Sequence, residues 1–103
     1  MISLKLSTTD LSQLKAIAKD LLKQKLVMDV NLIKEVDRWT LSGDNIEVKT
    51  QYELNAKTKA LHFSNIDKLI KDNYSPAPEI YSIPIVHMDW EQADLLVKSI
   101  KPA

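Results

Sequence analysis

The segment from Ile46 to Lys57 constrains the fold more than any other. Ile46, Val48, Thr50, Tyr52, Leu54 and Ala56 alternate with Glu47, Lys49, Gln51, Glu53, Asn55 and Lys57. This strict period of two predicts a β-strand with one buried face. A dozen residues at about 3.3 Å each reach roughly 40 Å. Strands of about 5 or 6 residues are typical, so part of this one must extend past any core a small domain can build. The turn residues Ser42-Gly43-Asp44-Asn45, with the only glycine of the chain, precede it. They predict a hairpin with the strand-like run from Val27 to Leu41. In that run Met28, Val30 and Leu32 share one face, and Asp29, Asn31 and Ile33 the other. The parity blurs from Ile33 to Val36, which points to a bulge there.

The other elements fall around this hairpin. Ile2, Leu4 and Leu6 alternate with polar residues and predict a first strand. Leu11, Leu14, Ile17, Ala18, Leu21 and Leu22 have helical spacing. Asp10 is the expected N-cap of that helix, with Gln13 completing a capping box. A second helix is expected after Ser64 as its cap, with Ile66, Leu69 and Ile70 on its apolar side, ending near Asn73. The segment Glu79–Val86 reads as a fourth strand, although it holds Pro84. A last helix is expected from about Asp89 to Ile100, with Trp90, Ala93, Leu96, Val97 and Ile100 inward. The order is βαββαβ plus a C-terminal helix. It predicts an α+β, ferredoxin-like domain over residues 1–103, with a four-stranded antiparallel sheet. The first and third strands are then central. Pro84 lies on an edge strand, where a missing ladder donor is tolerated. The overhanging hairpin carries the other edge, which needs cover. A closed ring of identical subunits would supply it, so a homo-oligomer is expected.

Composition removes several function classes. Acidic and basic residues balance at 14 each. A zero net charge offers no electrostatic reason to expect nucleic acid or an anionic membrane as partner. There is no cysteine. Thiolate catalysis, thiolate metal sites and disulfides are thereby excluded. The N-terminus alternates apolar and polar residues without a secretory-type run, and no stretch approaches the roughly 20 apolar residues of a membrane helix. The expected location is cytoplasmic.

The motifs add a resemblance over nearly the whole chain. "STTD" (7–10) stands where the first strand enters its helix, "VNLI" (30–33) lies in the second strand, and Trp39 falls in the hairpin. "KT" (57–58) ends the third strand, "PEIYSIPIV" (78–86) spans the fourth, and Trp90 follows. In order and spacing these motifs resemble the CutA family of divalent-cation tolerance proteins. The resemblance implies a compact homotrimer related in shape to PII signalling proteins, with hairpins pairing between neighbours. The family is linked to tolerance of divalent metals, copper in particular, so a non-enzymatic role is expected, with a divalent metal ion such as copper as a candidate and no certain cofactor. The chain departs from the family pattern in three places. Asp29 stands at the family's cysteine, Lys34-Glu35 at its proline-glycine, and Asn73-Tyr74-Ser75 at its His-Pro-Tyr turn.

Two groups of residues carry candidate chemistry. His87 and Asp89 offer imidazole and carboxylate suited to zinc, copper or nickel, and His62 is a further histidine. Asp89 equally reads as the cap of the terminal helix. In PII-like trimers the clefts between subunits can hold small ligands. Arg38, Trp39, Lys57, Glu79 and Tyr81 are expected near such a cleft. Arg38 is the only arginine, and a guanidinium suits carboxylate or phosphate. The same residues also read as interface aromatics and a salt bridge. No glycine-rich phosphate loop, nucleophile elbow or nucleophile–base–orienter set can be assembled, so catalysis is not expected.

Overall fold

A computed structural model describes residues 1–102 of the chain. The elements are β1 (Ile2–Thr8), α1 (Leu11–Lys23), β2 (Val30–Ser42), β3 (Asn45–Thr58), α2 (Phe63–Asn73), β4 (Glu79–Pro84) and α3 (Trp90–Ser99). The sheet order is β2-β3-β1-β4, with all pairings antiparallel. This is the expected ferredoxin-like arrangement, with β2 and β4 at the edges. Pro84 closes β4 opposite Ile2, where the outer side of the strand carries no ladder.

Alternation along β1 and β3 sorts the sheet into two faces. Leu4, Leu6, Leu54 and Ala56 point to one side and pack with Leu14, Ile17, Ala18 and Leu21 of α1 and Ile66 and Ile70 of α2. Each of these is buried, and together they form the core. The opposite face carries Ser3, Lys5, Ser7, Glu53, Asn55 and Lys57, all half-buried. Asp10 caps α1 by accepting from the Gln13 backbone N–H at 3.1 Å. The Gln13 side chain does not close a capping box. It donates to the Pro76 carbonyl at 2.7 Å and ties the start of α1 to the turn before β4.

The hairpin overhangs as its length demands. The molecule measures 48 × 30 × 21 Å. The register slips between Ile33 and Val36, where β2 spends one more residue than β3. Glu35 takes φ +60° inside this bulge. The extra residue keeps the parity useful. Ile33 and Val36 both face the open side, so Trp39 and Leu41 return to the side of Val30 and Leu32. There Trp39 stands opposite Val48, and Leu41 opposite Ile46. Those four lie beyond the helices and stay 68, 71, 67 and 49% exposed for Trp39, Leu41, Ile46 and Val48.

Several boundaries differ from the sequence-based expectation. β2 starts at Val30 rather than Val27; Lys25, at φ +56°, turns the chain just past the end of α1, and the Met28 N–H makes a single hydrogen bond to the Lys57 carbonyl at 2.9 Å before the strand begins. β4 ends at Pro84 rather than Val86; its ladder with β1 runs as far as Ile2 opposite Pro84, and the Ile85 N–H then donates to the Met1 carbonyl at 3.1 Å. Ser64 does not cap α2. A 3-10 turn over Ala60–His62 runs straight into the helix, and the Ala60 carbonyl accepts the Phe63 N–H. In α3 only Leu96 is buried, with Ile100 just beyond it, while Trp90 and Val97 are exposed rather than inward. The helix is held at its C-terminal end, so its first turn stands clear of the core.

Candidate functional site

Val36 and Arg38 of β2 stand opposite Gln51 and Lys49, on the side of the sheet that carries Glu53. Arg38, opposite Lys49, reaches across β3. Its Nη1 donates to Glu79 Oε2 at 2.6 Å and to Gln51 Oε1 at 3.5 Å. Glu79 opens β4 opposite Ser7, which in turn faces Glu53 of β3. Ser7, Val36, Asp37, Arg38, Trp39, Gln51, Glu53, Glu79 and Tyr81 line a cleft of about 390 Å³ there. Four of the five expected residues, Arg38, Trp39, Glu79 and Tyr81, thus meet. The salt bridge of Arg38 closes within the chain. Its side chains are 40 and 64% exposed, so the pair positions the guanidinium more than it stabilises the fold.

Lys57 does not join them. It lies six residues further along β3 than Gln51, about 20 Å away along the strand. Its Nζ pairs with Asp29 Oδ2 at 2.9 Å. With Ser3, Ile85, His87, Met88, Asp89 and Gln92 it lines a second hollow, of about 420 Å³. His87 and Asp89 therefore share a wall, as their spacing suggests, but an ammonium stands beside them. Asp89 caps α3, accepting from the backbone N–H of Gln92 at 2.9 Å and from the Gln92 side chain. These hydrogen bonds hold its carboxyl below the ordinary aspartate range. Among the described residues no three His, Cys, Asp or Glu side chains gather as a metal-holding group. His62 is buried away from both hollows, with its Nε2 on the Lys101 carbonyl at 2.7 Å.

Ser7, Val36, Asp37, Gln51 and Glu53 line the cleft without having been expected there. Ser7 and Glu53 could have been drawn from the strand order, since Ser7 sits between Glu53 and Glu79 in the ladder. Asp29 was visible as the residue at the family's cysteine position, but its partner Lys57 follows only from the register.

The same architecture recurs in known proteins. A family model described as CutA1 divalent ion tolerance protein matches residues 3–98. Among solved structures, the divalent cation tolerance protein (Cut A1) from Thermus thermophilus is 21% identical and superposes with a TM-score of 0.83 over 98% of this chain and 100% of that one. The periplasmic divalent cation tolerance protein CutA from Archaeoglobus fulgidus is 25% identical, with a TM-score of 0.84 over 98% and 100%. CutA1 from Oryza sativa is 17% identical, with a TM-score of 0.87 over 99% and 94%. No curated protein matches the sequence at a significant level. The match over nearly the full length, on a ferredoxin-like frame with an overhanging hairpin, is decisive: the chain belongs to the CutA1 divalent ion tolerance family.

Proposed function

We propose that the chain acts without catalysis, as a homotrimer in divalent-metal-ion tolerance or homeostasis. The observation that carries the assembly is the bare apolar side of the arm, where Trp39, Leu41, Ile46 and Val48 are all exposed. A lone subunit gains nothing from such a surface, and a ring of copies covers it. The metal role rests on the family to which the chain belongs and on the shared wall of His87 and Asp89. One imidazole and one carboxylate are too few ligands for a tight site. The remaining ligands then come from a neighbouring copy. Titration calorimetry with copper and zinc tests this reading. Heat that disappears in His87→Ala supports it. Undiminished copper binding in the His62→Ala, His87→Ala double variant refutes the ligand assignment.

A second reading is a PII-like sensor for a small ligand. It is favoured by one observation, the meeting of Arg38, Trp39, Glu79 and Tyr81 around a hollow of ligand size. Nucleotide heat lost in Arg38→Ala supports it. Silence with metals and nucleotides alike leaves a structural or adaptor trimer.

A further inference from the structure

The balanced charge of the chain hides a segregation. Lys23, Lys25, Lys59 and Lys101 are scattered along the sequence, but the fold collects them. The Lys101 N–H donates to the Lys25 carbonyl at 2.9 Å, the His62 N–H donates to the Lys59 carbonyl at 3.0 Å, and the buried His62 ring holds the Lys101 carbonyl. Lys23 ends α1 two residues before Lys25. Among the described residues none of the four forms a salt bridge; the cations that do are Arg38, Lys57, Lys71 and Lys98. Lys23, Lys25 and Lys101 are exposed, and Lys59 is half-buried. This cluster lies at the end where β3 finishes and β2 begins, opposite the tip of the arm. The arm and its base, residues 34–53, carry the carboxylates Glu35, Asp37, Asp44, Glu47 and Glu53 against the cations Lys34, Arg38 and Lys49.

We infer that this lysine pole is a docking surface for an anionic lipid membrane. Charge complementarity favours it first. Unpaired lysines are drawn to an acidic leaflet, and the acidic arm is turned away from it, so the molecule has one preferred orientation. The chemistry of the patch favours it next. Two apolar side chains stand in the same segments, Leu22 before Lys23 and Leu61 two after Lys59, and they are 44 and 73% exposed. Exposed leucines in the same segments as exposed lysines suit an interface with acyl chains beneath it. The patch has no arginine, and its one nearby aromatic, Phe63, packs against the core. It thus lacks the stacking groups that hold single-stranded nucleic acid. The inference is independent of the metal reading.

Co-sedimentation of the full chain with vesicles tests it. Binding is expected to vesicles of phosphatidylcholine with about a third phosphatidylserine, and to vanish near 1 M salt, where the Debye length is about 3 Å. Each lysine removed weakens partitioning about fivefold, so Lys23→Ala, Lys25→Ala loses about 25-fold. Lys34→Ala, Lys49→Ala on the arm leaves binding unchanged, and Leu61→Ser weakens it. Circular dichroism confirms that each variant is folded. The inference is overturned by failure to bind anionic vesicles, by equal binding to pure phosphatidylcholine, or by a Lys23→Ala, Lys25→Ala variant that binds like the parent. It is also overturned if heparin, polyglutamate or duplex RNA is bound while vesicles are not.

Discussion

Leu41→Asp with Ile46→Asp is the perturbation that bears hardest on the assembly. The two side chains face each other across the arm and are 71 and 67% exposed. Burying a Leu or Ile fully is worth about 1.5–3 kcal/mol, so covering about two-thirds of each gives about 1–2 kcal/mol per residue. The pair then supplies about 2–4 kcal/mol to every arm contact. That corresponds to roughly 30- to 1,000-fold in dissociation constant. Each aspartate adds the cost of desolvating a carboxylate under a neighbour. Neither residue belongs to the core cluster, so the subunit itself should stay folded. Light scattering after size exclusion at micromolar concentration is the assay. The parent chain should run at three times 11.7 kDa, about 35 kDa, and the variant at 11.7 kDa. A trimer that survives both aspartates would refute the reasoning, as would a parent chain that is already monomeric. Unchanged far-ultraviolet dichroism of the variant guards against simple unfolding.

Other consequences are local. Thr58 is buried and donates its hydroxyl to the Leu26 carbonyl at 2.6 Å, so Thr58→Val should cost about 1–3 kcal/mol in denaturant unfolding. Glu35 holds φ +60° without being glycine, a conformation that costs about 1–2 kcal/mol. Glu35→Gly should therefore stabilise the subunit, by no more than about 1 kcal/mol once the added freedom of the unfolded chain is counted. Arg38→Ala should change stability by less than about 1 kcal/mol, because its ion pair is exposed. The Asp89 carboxyl is held low by Gln92, so its capping contribution is present above the unfolded value of about 3.9 and lost as pH falls through the depressed folded value. Asp89→Asn keeps a capping side chain that does not titrate, and should flatten that part of the acid response of α3.

The strands were legible because a period of two survives any tertiary context that buries one face. β3 could be read almost to its ends, and the bulge in β2 showed itself as lost parity at Ile33 to Val36. The βαββαβ order placed the fourth strand at an edge, and Pro84 agreed with that place. The core sides of α1 and α2 were equally plain, through Leu14, Ile17, Leu21, Ile66 and Ile70. Trp90 and Val97 misled because apolar spacing states which side of a helix is greasy, not what lies against it. Those two and the arm residues share this property, and in both cases the apolar side is exposed in the single chain. The candidate site was half legible for a related reason. Residue type proposed Lys57 as a companion of Arg38, but the register sets Arg38 opposite Lys49, and Lys57 lies four residues of extended chain beyond Glu53, the nearest β3 residue of the cleft.

That separation makes the two functional readings distinguishable. The Arg38 cleft is built on the base of the arm, with Trp39 in both its lining and the bare apolar surface. If the arm is covered in a trimer as proposed, the cover reaches Trp39 and with it the cleft. Binding there and trimer formation should then be linked, and linkage is reciprocal. The His87 hollow lies at the other end of β3, beside the start of α3. In the Leu41→Asp, Ile46→Asp variant a small ligand of the Arg38 cleft should lose affinity in step with the trimer. A metal held by His87 and Asp89 should lose only the ligands a neighbour supplied. Calorimetry on dilutions that span the trimer's dissociation reads this directly. A cleft ligand whose affinity ignores protein concentration would show that the arm and the cleft work separately.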